Sequence, residues 1–253
     1  PDSCDLDQVT TTFWSLLRQA DVTNRVVLLI DNIDQFRREY NPRLDSTSVG
    51  WLTPNWPENV RLIVSAREGL TAQSLRDRMG VVEITLRDLD ITARVRLVQA
   101  ICDRYHRNLG PAVTNEIVLR KRMDGTAASS HPLWLTLATE AINLLDADDF
   151  KRTENEFTGQ ADERIEQLLL QTIRVLPIDV DGLFLWTLQR ARDLHDPTLV
   201  DGFVKLTAIS RFGLRELDYR TLLPDLTKQP WDSLRFAMLR RSFRTLVQRR
   251  EDD

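Results

Sequence analysis

The sequence predicts a fold of class α/β plus α, in which a short α/β segment precedes a longer helical one and the chain is mostly helical overall. Two observations predict it. Short apolar runs alternate with helical patterns only in the first part of the 253 residues. After Leu89 the strand pattern stops and helical periodicity continues. The nine glycines, a low number for this length, agree with a mostly helical chain.

The α/β segment begins with a helical pattern at residues 7–20. Val26–Ile30 is a continuous apolar run with β-branched residues, which indicates a parallel strand buried on both faces. Val60–Val64 is predicted as a second strand, residues 70–79 as a short helix and residues 81–84 as a third strand. The segment is therefore expected to form a parallel sheet with helices.

Helical patterns fill the rest of the chain. They cover residues 91–105, 112–123, 132–145, 162–175, 182–194, 197–210, 214–222 and 231–247. Asp90 gives the first of them a polar start, and Pro132 suits the first turn of another. The polar stretch at residues 151–162 indicates a boundary. The predicted domains are residues 1–89, 90–160 and 161–253.

Composition and charge exclude several classes of protein. Hydrophobic residues make up 42% of the chain and charged residues 28%, and no apolar run approaches the roughly 20 residues of a membrane span. The two cysteines, Cys4 and Cys102, fit no metal-binding or disulfide pattern, which is typical of a cytoplasmic protein. The net charge of −4 argues against nonspecific nucleic-acid binding.

Two carboxylates come directly after the first predicted strand. Asp31 and Asp34 end the apolar run in the layout of a Walker B element. Because ligands of open α/β sheets bind at the carboxyl ends of the strands, Asp31 is placed to hold Mg²⁺. Asp34 is close enough to face the same cavity and orient a water for attack on phosphorus. The alternative is that both carboxylates only cap the strand and start a helix.

The second predicted strand also ends in polar residues. Ser65 and Arg67 follow it, where a hydroxyl and a cation can sense the γ-phosphate of a bound nucleotide. Further along, His131 and Pro132 open a helix that can pack on a purine ring, with His131 at the rim. The alternative for Arg67 is a surface salt bridge. For His131 and Pro132 the alternative, which the sequence favours, is a helix start with proline in its first turn and a buried Trp134.

A phosphate-binding loop is missing from the sequence. No stretch fits the G-x-x-x-x-G-K-[ST] pattern that cradles phosphates. We therefore expect the chain to be a piece of a longer protein that supplies this loop, and we expect the piece alone not to hydrolyse ATP.

These segments together resemble the STAND class of signal-transducing P-loop ATPases, in particular the NACHT-type modules found beside WD-repeat or TPR arrays. The matching motifs occur in the family's order. They are the Walker B element at residues 26–35, the segment into sensor 1 at 57–65, the first lid helix at 86–109, the lid motif at 130–141 and the winged-helix segment at 209–217. Ser130 stands where the lid motif usually has glycine, and the wing hairpin is expected to turn at the last residues.

The resemblance implies the C-terminal part of a P-loop (ASCE) ATPase core at residues 1–89, a helical lid at 90–160 and a winged-helix-like domain at 161–253. It implies a switch that binds ATP or ADP with Mg²⁺. Asp31 then binds the metal, Asp34 and Arg67 are catalytic, and Ser65, His131 and Pro132 contact the nucleotide. Activation by a protein trigger leads to homo-oligomerisation and turns on an effector in the same parent chain, in innate immunity or in antiviral or antiphage defence.

Two other functions remain open at this point. One is a non-catalytic NACHT-like scaffold that only mediates assembly. The other is a DNA-binding AAA+ ATPase similar to Orc and Cdc6 proteins, which also combine a lid with a winged helix. The acidic balance argues against DNA, as does the mixed charge of the helix predicted at residues 214–222, which does not form a DNA-reading face.

Overall fold

The computed structural model describes residues 6–19, 25–35, 49, 52, 56–145, 149–151, 156–244 and 246–247. The chain divides into two compact units, residues 1–86 and 87–253. Helices account for most of the described residues, which confirms the prediction of a mostly helical chain with a small parallel sheet. Residues 248–253, where the sequence predicts the turn of a wing hairpin, lie outside the described residues.

The described residues of the first unit form two strands and two α-helices. In chain order these are α1 at Leu6–Gln19, β1 at Val26–Ile30, β2 at Val60–Val64 and α2 at Leu70–Arg76, with a short 3-10 helix at Ile33–Gln35 after β1. The strands pair in parallel, and the register places Val26 opposite Val60 and Ile30 opposite Val64. This pairing confirms the two predicted strands as neighbours in one sheet.

One face of this sheet packs on a small core. Ile33, Val49 and Leu52 are buried there, and Leu62 and Leu75 pack against them. On the other face Val27, Leu29 and Ile63 are exposed, and the exposed fraction of Leu29 reaches 72%. The expectation that β1 is buried on both faces is therefore wrong for the described part of the chain, because its core covers only one side.

The prediction of a third strand at residues 81–84 is also wrong. Residues 81–90 have no regular secondary structure, and none of the described residues pairs with them in a ladder. Val82 and Ile84 are exposed, whereas Glu83 forms an ion pair with Arg76 at 2.7 Å. An apolar run becomes a strand only when a neighbouring strand satisfies its backbone groups.

The second unit is helical. Its helices are α3 at Ile91–Asp103, α4 at Pro111–Val118, α5 at Pro132–Asn143, α6 at Ala161–Val175, α7 at Val180–Leu194, α8 at Pro197–Ile209, α9 at Glu216–Thr227 and α10 at Ser233–Ser242. Aspartates cap several of these helices, as Asp90 does by accepting a hydrogen bond from the backbone N–H of Ala93 at 2.8 Å. Helix α4 ends earlier than predicted because Gly125, with φ of +82°, turns the chain back and Lys121 pairs with Ala127.

A first core joins helices α3 to α7. Trp134 is fully buried in it, and its indole N–H donates to the carbonyl of Pro177 at 3.0 Å. Ile117, Ile173 and Leu183 belong to the same core, which therefore includes side chains from both sides of residue 160. The division into separate lid and winged-helix-like domains at that residue stays a prediction.

A second core joins helices α7 to α10. The Phe203 ring lies within 6.0 Å, between centroids, of the rings of Tyr219, Phe236 and Phe243. Gly202 lets α8 approach α9 closely, because a Cβ at this position would lie 3.0 Å from Thr227 Cγ2. In the described ranges from 161 onward this part of the chain is helical, so the winged helix also stays a prediction.

Candidate functional site

Polar side chains gather at one edge of the two-stranded sheet. Asp31 and Asp34 follow β1, and Ser65 and Arg67 follow β2. Because the strands are parallel and Ile30 pairs with Val64, both connections leave the sheet at the same edge. This is the edge at which open α/β sheets bind ligands.

Ser65 and Asp31 are in direct contact. The Ser65 hydroxyl donates a hydrogen bond to Asp31 Oδ1 and accepts one from the backbone N–H of Asn32 at 2.8 Å. The backbone of Ser65 is also engaged, since its N–H donates to Ile30 and its carbonyl accepts from Ile33, both at 3.0 Å. Ser65 therefore holds the turn after β1 against the end of β2.

Asn32 shapes this turn, and the sequence analysis did not single it out. Its φ is +54°, in the left-handed region that asparagine tolerates better than most other residues. This conformation accompanies the bond from its N–H to the Ser65 hydroxyl. An asparagine directly after a strand-ending aspartate was the available signal.

Asp34 and Arg67 form the second contact across the edge. Arg67 Nε donates to Asp34 Oδ2 at 2.8 Å, and the Arg67 backbone N–H donates to Oδ1 at 3.2 Å. The Asp34 side chain is 11% exposed and that of Arg67 is 76% exposed. The hydrogen bond from the Arg67 guanidinium lowers the pKa of the Asp34 carboxyl below its usual value. Asp34 is therefore held as a carboxylate, with Arg67 reaching outward to solvent.

The donor set fits a magnesium ion that is bound mainly by phosphates and water. Among the described residues no group of three or more His, Cys, Asp or Glu side chains could hold a metal ion. Mg²⁺ keeps several waters and is commonly held by one or two carboxylates together with substrate phosphates. Asp31, at the end of β1, can supply one such carboxylate.

His131 and Pro132 lie in the second unit, at the start of α5. His131 caps this helix, since its Nδ1 accepts a hydrogen bond from the Trp134 backbone N–H at 3.4 Å. Pro132 occupies the first turn, and both side chains are exposed. These local roles agree with the helix-start alternative, and the contact with a purine stays a prediction.

The comparisons with known proteins give one distant relative. No family model matches the chain, and no solved structure matches it significantly. A TPR repeat-containing protein of Dictyostelium discoideum is 25% identical over 219 residues, which cover 85% of this chain. The chain spans about 12% of that relative's length. None of the helices in the described ranges has the length and apolar composition that a membrane crossing requires.

Proposed function

We propose that the chain is part of a nucleotide-dependent signalling switch, a STAND-class P-loop ATPase of the NACHT type. The observation that carries the proposal is the convergence of Asp31, Asp34, Ser65 and Arg67 at the carboxyl ends of two parallel strands. In this assignment residues 1–89 belong to the ATPase core, 90–160 to the lid and 161–253 to a winged-helix-like domain.

In this proposal each of these side chains has a separate chemical role. Asp31 holds Mg²⁺, which supplies charge neutralisation at the phosphates when it is bound. Asp34 accepts a proton or positions a water, and Arg67 stabilises phosphate charge. In the structure Asp34 and Arg67 are bonded to each other at 2.8 Å. Arg67 must therefore leave Asp34 before either can act, and the pair corresponds to a resting arrangement of the site.

The distant relative supports the proposal in one respect. Its name states that it contains TPR repeats. The NACHT-type modules that the sequence resembles are those found beside WD-repeat or TPR arrays. In the proposed cycle a protein trigger favours exchange of ADP for ATP, and the protomers then form homo-oligomers. An effector elsewhere in the parent protein becomes active as a result, in innate immunity or in antiviral defence.

A non-catalytic assembly scaffold is the second candidate, and one observation favours it. The hydroxyl of Ser65 and the guanidinium of Arg67 are bonded to the two carboxylates, as they would be in a purely structural cap. In a scaffold these bonds only join β1 to β2. The two candidates differ in whether the residues at this edge of the sheet take part in ATP hydrolysis.

Substitution of the carboxylates tests the proposal in the full natural protein that contains these residues. Asp31→Ala is expected to abolish Mg²⁺-dependent ATP turnover because it removes the metal ligand. Asp34→Asn is expected to keep nucleotide binding and slow hydrolysis by roughly a hundredfold or more, because the amide is a poor base. Phosphate release and equilibrium binding of labelled ADP measure the two effects.

Asp77→Asn is the matched control, because Asp77 is an exposed carboxylate of the same unit that lies after α2 and accepts a bond from Gln73. It should turn over ATP at the wild-type rate. Wild-type turnover in Asp31→Ala would contradict the assignment of the metal ligand. Loss of nucleotide binding in Asp34→Asn would make Asp34 a structural residue.

A further inference from the structure

An ion pair between a buried carboxylate and a half-buried guanidinium joins a segment after α10 to the first core of the second unit. Glu140 belongs to α5 and is 5% exposed. Arg244, which lies 104 residues further along the chain, donates from Nη2 to Glu140 Oε2 at 3.1 Å. Tyr105 completes the cluster, since its hydroxyl donates to Glu140 Oε1 at 2.9 Å and its ring centroid lies 4.0 Å from the Arg244 guanidinium carbon.

Arg244 belongs to a short segment after α10 that we call the strap, made of Phe243, Arg244, Leu246 and Val247. The backbone N–H groups of Leu246 and Val247 both donate to the Phe243 carbonyl at 2.9 Å, so the strap forms a compact turn. Phe243 is buried in the second core, and Leu246 packs against both cores. The strap therefore bridges the two cores of the unit.

The ion pair is better suited to fixing a position than to adding net stability. Burial of the Glu140 carboxylate costs it hydration, which offsets much of its attraction to Arg244, whereas removing the partner of a buried charge is costly. The Arg244 side chain also has an unsatisfied atom, since Nε is buried without a hydrogen-bond partner among the described residues. A contact of this kind can favour one position of the strap strongly and still be released.

We propose that Glu140, Tyr105 and Arg244 form a latch that fastens the strap to the first core, and that the strap opens as a separate step before the second unit unfolds. Opening exposes Glu140 and the part of both cores that Leu246 covers. The proposal concerns contacts within the second unit only, so its test is independent of nucleotide binding.

Hydrogen–deuterium exchange on the full chain tests the latch. Glu140→Gln and Arg244→Gln should each accelerate exchange of the Leu246 and Val247 amides by about tenfold or more, because exchange reports the population of the locally open state. The amide of Ile173, which lies within α6 and is buried in the first core, should exchange as in the wild type. Arg240→Gln is the matched control, because it removes the exposed pair with Glu216 and the contact of the guanidinium with the Phe236 ring, at 5.9 Å from the centroid, but leaves the contacts of Glu140 with Arg244 and Tyr105 in place. It should change neither region.

A double variant distinguishes a latch from general weakening. Glu140→Gln with Arg244→Gln should accelerate strap exchange little more than either single variant, since both remove the same contact. Additive acceleration, equal acceleration at Ile173, or no acceleration at the strap would each overturn the proposal. If Glu140→Gln fails to fold, Tyr105→Phe removes one hydrogen bond to Glu140 and keeps the ring under Arg244. It should give a smaller acceleration confined to the strap, and an unchanged strap in that variant would overturn the proposal equally.

Discussion

Asp34 and Arg67 are bonded to each other across the ends of β1 and β2, with Arg67 Nε 2.8 Å from Asp34 Oδ2. Both residues were predicted to belong to a functional site because polar residues that follow an apolar strand are unusual. Their bond to each other depends on the register of β1 and β2, which no local pattern contains. The same register brings Ser65 to Asp31 and places the Ser65 hydroxyl where it accepts the hydrogen bond from the Asn32 N–H.

His195 gives a second prediction at the scale of single residues, which concerns the dependence of stability on pH. Its Nε2 lies 2.9 Å from the Ser242 hydroxyl, and burial lowers its pKa below the ordinary value of 6.5. At pH values between the lowered pKa of His195 in the folded chain and its ordinary pKa of 6.5 in the unfolded chain, the unfolded chain therefore binds more protons. The contribution of neutral His195 to the free energy of unfolding is fully present above pH 6.5 and is lost as the pH falls. The free energy of unfolding, from urea titrations at pH 7.5 and 5.5, should be lower at the acid value.

His195→Gln keeps a partner for Ser242 and should reduce this pH dependence. His106→Asn is the control, because His106 is exposed and has a positive φ that asparagine accepts. The control should show the same difference in the free energy of unfolding between pH 7.5 and pH 5.5 as the wild type. If His195→Gln showed the wild-type difference in the free energy of unfolding between the two pH values, the assignment of the effect to His195 would be contradicted.

At the scale of elements, the helix starts were predicted closely because their signals are local. Several helix ends were not, since α9 continues to Thr227 past its predicted end at residue 222, and α10 stops at Ser242 before its predicted end at residue 247. Aspartates and prolines at the helix starts, such as Asp90 and Pro132, act within one turn, and the structure begins helices directly after Asp90 and at Pro132. The third strand failed for the opposite reason, since a strand depends on a distant partner. Helix α4 ends early through a turn around Gly125, a glycine signal that the helical periodicity obscured.

The contact between α8 and α9 gives a prediction about an element pair. Gly202→Val should destabilise the second unit by about 1–3 kcal/mol, because the added atoms overpack against Thr227 and Leu223. Thr227→Ser removes the nearest methyl group and keeps the hydroxyl, which donates to the Leu223 carbonyl at 2.7 Å. In that background the cost of Gly202→Val should fall. Equal costs in both backgrounds, measured by urea unfolding, would show that the two helices do not meet through Gly202.

At the scale of the whole molecule, composition and periodicity predicted a mostly helical chain with a short α/β part, and the structure confirms it. The arrangement of the helices into two cores was not predicted, since it depends on contacts such as that of Trp134 with Pro177. The nucleotide switch is a proposal about this larger scale, because it needs a phosphate-binding loop and no stretch of this sequence fits the pattern of one.

The most direct test of the switch is the nucleotide content of the full natural protein that includes these residues. The protein is purified without added nucleotide and denatured, and the released small molecules are identified by chromatography. We expect about one equivalent of ADP per chain, as in a resting switch of this class. A protein that releases no nucleotide and also fails to take up labelled ATP would contradict the proposed switch, and Asp31 and Asp34 would then be structural caps of the strand.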